Sequence, residues 1–588
     1  MTSLPQKLSA IVGAAFAAQG LPAEYGLVRV SDRPDLAQFQ CNGAMPAAKK
    51  AGKNPREVAQ GIIDALTKNP AFGKLDIAGP GFININITDA FLVAHLAEIV
   101  VDKRHGVPLT AQGDNVVVDY GGANIAKAMH VGHLRAAIIG EAVKRVLKYA
   151  GYHAQGDVHM GDWGTHMGML IADYMREGQE NLVLGTDIND AAAVERLMED
   201  MAVRYPKAAG LAKADEALMK IAQETTVKLQ NKEVPYYPIW QKIFDVSVAG
   251  MKKTYASLDV HFEIWKGEAC VHDLIAPMVE DLKKKGFAVE SDGAWVFPVA
   301  RNDDKKEMPP LILYKRDGAV MYGTTDLATL VDRMNVNKPT KVIYVVDQRQ
   351  ALHFEQVFRA AHTSGIVPQS VELTHAGFGT MNGPDGKPFK TREGGVMKLE
   401  DLIAMATEKA VTRMAEAHIA EDMSEADRAD VANKVAIAAI KFADLQNQRQ
   451  ADYVFDLDRL TRFEGKTGPY LLYQAVRIKS LLRKAEEQGI AIPKTPSFKL
   501  QDVDRPLALF LTELPDAVDG AVRNYAPHFL CDYAYKLAQA FSSFYGNCHI
   551  ISEEDTALRD SRLALCAQTY GQLEIVLSLL GISIPDRM

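Results

Sequence analysis

Asn115 is followed by three valines, Val116–Val118, with no polar residue among them. An unbroken apolar run this short suits a strand covered on both faces, as in a parallel sheet. Gly121 and Gly122 end the run, and helical spacing of apolar residues extends from about Val131 to Ala150. The same order returns later: an apolar run at Lys341–Asp347, then a helical pattern over about His353–Ser364. Parallel strands need long crossovers, usually helices, so repeated strand–loop–helix units predict a doubly wound Rossmann-type α/β domain over about 111–400. Between these pieces, about 172–300 reads as helical sequence and then a strand pair around Gly293–Phe297. That segment is expected to be an insertion.

The flanks read differently. A helix over Leu4–Gln19, a strand over Leu27–Val30, a helix over Pro55–Leu66 and the alternating run Phe82–Ile87 predict a small α/β N-terminal domain over 1–110. From Leu402 the pattern is helical almost throughout, which predicts an all-α C-terminal helical bundle over 401–588.

Composition excludes several classes of function. No apolar run reaches the roughly 18 residues of a membrane span. The chain has 66 Lys and Arg against 74 Asp and Glu, a net charge of −8. A basic coat for nucleic acid is thereby excluded, but not local basic patches. The five cysteines are odd in number and form no C-x-x-C pair, which points to a reducing, cytoplasmic setting without a disulfide framework or Cys-rich zinc site. The stretch after Lys7 imitates a signal peptide, but Leu8, Ile11, Val12 and Phe16 have helical spacing, so it is read as an N-terminal helix.

The most informative loop is Asn124–Arg135, which follows the valine strand and opens a helix. A helix N-terminus presents free N–H groups and a positive dipole end, which favours phosphate. His130 and His133 lie three apart, where two imidazoles can donate to phosphate oxygens. Gly132 leaves room for a flat ring against the backbone. By themselves these residues admit three readings: a nucleotide site, two structural histidines, or a metal site with His153, His159 and His166. No H-E-x-x-H or carboxylate-rich spacing supports the metal.

The wider context resembles class I aminoacyl-tRNA synthetases, with H-V-G-H in place of their HIGH signature. The string ANIAKAMHVGHLRAAIIGEAVKRVLKYAG, followed by GDVHMGDWGTHMGML, is similar to the arginyl-tRNA synthetase family in particular. The likeness continues through MYGTTDLATL, YVVDQRQALHF, HAGFG, GKPFKTREGG, DYVFDLDRLTRFEGKTGPYLLYQAVRI and LLGISIPDRM. It includes QCNGAMPAAKK and AGPGFININI near the start, so it spans nearly the whole chain in order.

The resemblance implies roles. His130 and His133 stabilise the α-phosphate while the amino-acid carboxylate attacks ATP, and Gly132 belongs to the same ATP site. The loop Gly383–Gly395 stands where the family's KMSKS loop belongs, with Lys387, Lys390 and Arg392 as its cations. Phe389 replaces the family's Met there, and Thr391 falls where the second lysine would be. Many arginine enzymes with that loss carry a lysine upstream of HIGH instead, a place that Lys127 occupies. Arginine is implied to contact Tyr322, Asp326 and Gln350 through its side chain, and Asn124 and His133 through its amino and carboxylate ends. Tyr322 and Asp326 share a face if Met321–Met334 is helical. Gly122 and Ala123 stand where many relatives have Ser-Pro, so a serine hydroxyl contact is lost or replaced by backbone.

Residues 459–484 hold seven cations against Glu464, with Phe463, Tyr470 and Tyr473 interleaved. Such a stretch is either a solvated helix face over core aromatics or a surface for phosphates and unstacked bases. The resemblance favours the second, with Arg462, Tyr470, Arg477, Tyr533 and Phe544 as candidates for tRNA(Arg). It also implies that the N-terminal domain meets the tRNA elbow through Phe39, Gln40, Asn42 and Asn84, with Lys49, Lys50 and Lys53 nearby. The expected activity is therefore ATP-dependent arginine–tRNA ligation, with L-arginine, ATP and Mg2+ carried by the ATP. No resident metal and a monomeric state are expected. The cysteine enzyme of the same class and a catalytically dead RNA-binding paralogue are the rival readings.

Overall fold

The strand Asn115–Tyr120 lies at the centre of a five-stranded parallel sheet. The strand order is Glu372–His375, Lys341–Val345, Asn115–Tyr120, His153–Met160 and Ile264–Gly267. The computed structural model describes residues 2–316, 318–383, 385–387 and 397–588. Val116 and Val118 enter the core built on the helix Leu134–Tyr149, whereas Val117 enters a second core with Leu327, Leu330 and Val357. Lys341–Val345 behaves likewise, with Ile343 and Val345 on one side and Val342 and Tyr344 on the other. Alternate side chains thus bury into different cores, which is why both runs lack polar interruptions. Strands added in opposite directions flank Asn115–Tyr120, so the loop that leaves its carboxyl end lies at a topological switch point.

The expected insertion at 172–300 divides. Its helices Ala191–Ala214, Glu216–Gln230 and Tyr236–Ser257 form one unit. The chain then returns to the main sheet as Ile264–Gly267, paired with Asp157–Met160. This edge strand carries Lys266 and only four residues, too little for a period to show. The strand pair near Gly293 is real, but it is completed by Leu311–Tyr314, beyond the expected boundary, in an antiparallel three-stranded sheet.

Arg333, on the helix Tyr322–Val336, ties that helix to the sheet. Its guanidinium is 1% exposed and pairs with Asp119 and, at 2.6 Å, with Asp157. Arg135 acts similarly at the other side. Its Nε lies 3.0 Å from buried Asp444 Oδ2, and one terminal nitrogen donates to the Ala451 carbonyl at 3.1 Å. The signature helix is thereby held on the helix Glu425–Leu445 of the C-terminal bundle.

The N-terminal unit is a four-stranded antiparallel sheet flanked by the helices Leu4–Ala18, Pro55–Leu66 and Asp89–Val101. Its structure removes two proposed RNA contacts. Phe39 is 3% exposed, a core residue of its strand. Asn84 is also 3% exposed; its side chain accepts from Gln40 Nε2 at 2.9 Å and donates to Asp76. The strand Phe82–Ile87 does place Ile83, Ile85 and Ile87 together in the core, but the asparagine face is covered as well. Asn42 is exposed and Gln40 half-buried.

In the bundle, Tyr533 and Phe544 are corrected for the same reason. Phe544 is 2% exposed and Tyr533 4%. Tyr533 stacks on Phe510, and its hydroxyl donates to Gln572. Both lie on the inward face of the helix His528–Asn547, whose apolar spacing cannot be told from a base-stacking row in sequence. Arg462 remains exposed, Tyr470 is half-buried edge-on to Tyr535, and Arg477 lies over the Tyr545 ring at 4.0 Å. Four of the seven cations have a carboxylate partner: Lys466 with Asp532 and Lys479 with Asp586, each at 2.6 Å, Arg483 with Glu487 at 3.7 Å, and Arg462 with Glu464 at 4.0 Å. The five cysteines are free.

Removing the cation between two buried carboxylates leaves them facing one another without a counter-charge. Arg333→Met should cost on the order of 3–5 kcal/mol in urea unfolding. Asp119→Asn in that background should recover part of it. An unchanged unfolding midpoint in Arg333→Met would show that this bridge does not hold the helix.

Candidate active site

The loop 121–133 is held by both backbone and side-chain contacts. Gly121 has φ +73°, a conformation that L side chains resist, and its carbonyl accepts from the Tyr255 hydroxyl. A Cβ on Gly122 would stand 2.6 Å from the His159 carbonyl oxygen. Ile125 N donates to Gly161 O at 3.2 Å, and Ala126 N to Ser247 Oγ at 3.0 Å. Ala123 is buried beneath the loop, and Asn124 is exposed beside Gly161.

The two histidines come together. Their ring centroids are 4.0 Å apart. Gly132 N donates to His130 Nδ1, and His130 N donates to His133 Nδ1, both at 3.1 Å. A ring nitrogen that accepts carries no proton, so the hydrogen sits on Nε2 in both neutral rings. Two Nε2–H donors are thus free for an anion. Gly132 has a role that spacing did not reveal: a Cβ there would lie 2.7 Å from the His130 ring. Burial lowers the pKa of both imidazoles; Lys127 adds to the effect at His130, and His130 itself at His133. His133 is brought down to about 4. The Lys127 ammonium lies 4.3 Å from the centre of the Tyr205 ring. It lines a cavity of about 330 Å3 with Met129, Lys398 and Glu400.

The second signature loop joins this site through its far end. Val131 N donates to Met397 O and Leu399 N to Met129 O, both at 3.0 Å, so His130 and Lys398 form an antiparallel bridge. At the near end, Gly383 N donates to Lys387 O at 2.7 Å, and Lys387 is exposed. Lys390 and Arg392, with Phe389 and Thr391, lie outside the described residues.

Along the helix Tyr322–Val336, positions 326, 329 and 333 carry polar groups to the carboxyl ends of the central strands. Asp326 Oδ2 is 2.5 Å from His353 Nε2, Thr329 Oγ1 is 3.3 Å from His159 Nε2, and Arg333 pairs below. Tyr322, 75% exposed, begins the helix, and Gln350 is exposed in the turn that leads to the helix Ala351–Ser364.

A family model described as "tRNA synthetases class I (R), catalytic domain" matches residues 95–457. The "Arginyl tRNA synthetase N terminal domain" model matches 2–87, and the "DALR anticodon binding domain" model matches 471–588. Two curated relatives, the arginine–tRNA ligases of Hyphomonas neptunium and Maricaulis maris, are each 48% identical, with 100% of both chains covered. The chain belongs to the arginyl-tRNA synthetase family. Among solved structures, the Plasmodium falciparum arginyl-tRNA synthetase is similar with TM-score 0.82 at 25% identity, covering 100% of each chain. The Thermus thermophilus enzyme shares the fold with TM-score 0.80 at 22% identity, over the same full coverage.

Two residues that the sequence patterns did not single out bear on Asp326. His353 stands three positions after Gln350 inside the motif YVVDQRQALHF, so its helical neighbourhood with Gln350 was available as a signal. Glu268, in the short turn after the edge strand, carried none. Burial raises its carboxyl pKa, the nearby His159 lowers it, and the charge of Asp326 raises it again. That coupling places a second carboxylate in the electrostatic field of the first.

His133 tests the neutral reading of the site. Its unfolded value is near 6.5 and its folded value near 4, so between these the unfolded chain takes up a proton that the folded site refuses. Stability contributed by this group is therefore present above about pH 6.5 and is lost as pH falls toward 4. Nitrogen-15 NMR of histidine-labelled protein should show the Nε2–H tautomer at pH 7 and a midpoint near 4. A midpoint near 6.5 would contradict the burial argument.

Proposed function

We propose that this chain is an arginine–tRNA ligase whose adenylation step is carried by His130, His133 and Lys127. The full-length match to arginine–tRNA ligases carries the overall reading. The paired Nε2–H donors at the switch point support the local one. The arginine carboxylate attacks the α-phosphorus of ATP, forming arginyl-adenylate and releasing pyrophosphate. The two imidazoles, neutral at physiological pH, donate to α-phosphate oxygens as charge builds there. Lys127 leaves the Tyr205 ring to neutralise the triphosphate, replacing the lysine absent at Thr391. Lys387, Lys390 and Arg392 are the cations of the second signature loop. In the second step the terminal adenosine 2′-hydroxyl of tRNA(Arg) takes the arginyl group, releasing AMP.

Magnesium arrives on the triphosphate. Among the described residues no group of three or more His, Cys, Asp or Glu is placed to hold a metal, so none is assigned to it. Asp326 grips the guanidinium as a fork acceptor, with Glu268 as the second carboxylate, Tyr322 as a wall and Gln350 as an amide partner. Asn124, His133 and the backbone at Gly122 and Ala123 hold the amino-acid end. Arg462, Tyr470 and Arg477 face the anticodon arm, and Gln40 and Asn42 the elbow. No described helix is long and apolar enough to cross a membrane. The enzyme acts as a cytoplasmic monomer.

Pyrophosphate exchange with each amino acid, with and without tRNA, tests this reading. Exchange should appear with arginine alone among the amino acids, and only when tRNA is present. Lys127→Ala should lower exchange turnover at least tenfold, and near-normal turnover would remove Lys127 from the mechanism. Asp326→Asn should raise the arginine KM at least tenfold, because a charged acceptor is lost.

A further inference from the structure

Asp326 has a partner within the chain. His353 Nε2 stands 2.5 Å from its Oδ2, and both side chains are about one-quarter exposed, at 27% and 23%. An ionised carboxylate has no hydrogen to give, so the hydrogen in this contact belongs to His353. The ring cannot swing away freely: it stands edge-on to Phe354, and Phe354 stacks on His375.

We infer that His353 is a positioning residue that tunes the hold on arginine: neutral, it fixes the Asp326 carboxylate for the guanidinium fork; charged, it competes with the guanidinium for that carboxylate. The inference rests on the reading of Asp326 as the arginine acceptor. The geometry permits the shared use. A carboxylate offers about four lone-pair sites, a bidentate fork uses one on each oxygen, and one on Oδ2 remains for Nε2–H. Charge decides the rest. A neutral ring leaves Asp326 a full negative charge for the substrate, whereas an imidazolium has already cancelled it. Two cations within a few ångströms of one another in a partly buried pocket repel strongly.

The direction of the pH dependence follows. The Asp326 hydrogen bond raises the His353 pKa above its ordinary value; burial works against it, and the Asp326 charge adds to it. In the free enzyme the proton therefore stays on His353 to higher pH, and arginine must expel it to bind. The other ionisable groups on the elements packed against this helix do not supply the same switch. His375 has its pKa lowered by burial, the Tyr344 phenol is buried and raised, and Arg349 is paired with Asp347 at 2.6 Å. On the helix itself, Glu355 is paired with Arg359 at 2.6 Å. Glu268 is raised by burial, lowered by His159 and raised by the charge of Asp326. Tyr314, on the strand Leu311–Tyr314, is raised by burial.

The test is the arginine KM and kcat in aminoacylation from pH 6 to 9, at saturating ATP and tRNA. In the unaltered enzyme KM should rise up to tenfold per pH unit below the His353 midpoint, with kcat nearly constant. His353→Gln keeps an amide donor that does not titrate; its KM should be flat with pH and within about threefold of the unaltered enzyme's high-pH limit. His353→Leu should raise KM at every pH. A His353→Gln enzyme that keeps the original bend overturns the inference. Asp326→Asn separates the two levels: unchanged KM there defeats the pocket reading, whereas raised KM with a persistent bend in His353→Gln defeats only the role of His353. Should the variants fail to fold, calorimetry of arginine binding to the unaltered enzyme–tRNA complex, in buffers of different ionisation enthalpy, decides. Release of up to one proton near pH 7 is expected, and no release overturns the proposal.

Discussion

The buried guanidinium of Arg333 fixes the geometry on which the pocket depends. It sits between Asp119 on the central strand and Asp157 on its neighbour, and so locks the helix Tyr322–Val336 across two strands. Asp326 lies seven residues, or two helical turns, before Arg333, so anchoring one end of the helix places the carboxylate of the other over the carboxyl ends of the strands. The switch-point loop with His130 and His133 leaves one of those same strands. The histidine pair and Asp326 are therefore registered to each other by backbone hydrogen bonds in the sheet and by one ion-pair cluster.

Charge is distributed between the two sites in opposite ways. At the phosphate end, burial and the Lys127 ammonium keep the imidazoles uncharged, so they act as fixed dipolar donors. Around Asp326, carboxylates gather: Asp326 is held by His353, and Glu268 is made harder to ionise by burial. Donors and carboxylates are thus segregated within a chain whose net charge is only −8. The segment that follows the second loop is tied to the first loop through the backbone bridge between His130 and Lys398.

Much of this was legible in the chain because the relevant signals are local. Val116–Val118 and Lys341–Val345 read as buried parallel strands, since residues facing two cores admit no polar interruption. The helix over Pro55–Leu66 is set by the Asn54 cap and the proline at its first position. His130, Gly132 and His133 act within one turn, so their spacing alone brings them together. Signals failed where burial on a second face decided the matter. Asn84 reads as a polar face of an alternating strand, yet Gln40 and Asp76 close over it. Tyr533 and Phe544 read as rings for bases, yet the helices Gly468–Glu487 and Thr556–Leu579 pack around that face.

By itself the amino-acid sequence determined the doubly wound core, the helical bundle, the pairing of His130 with His133 and the family to which the chain belongs. These rest on periodicity and on motifs whose residues are neighbours along the chain. Tertiary structure alone decided that Ile264–Gly267 rejoins the sheet, that the charge of Asp326 reaches Glu268, and that His353 holds Asp326 across 27 positions. Those relations join residues that share no period and no motif; they exist only once the sheet has set which strand lies beside which.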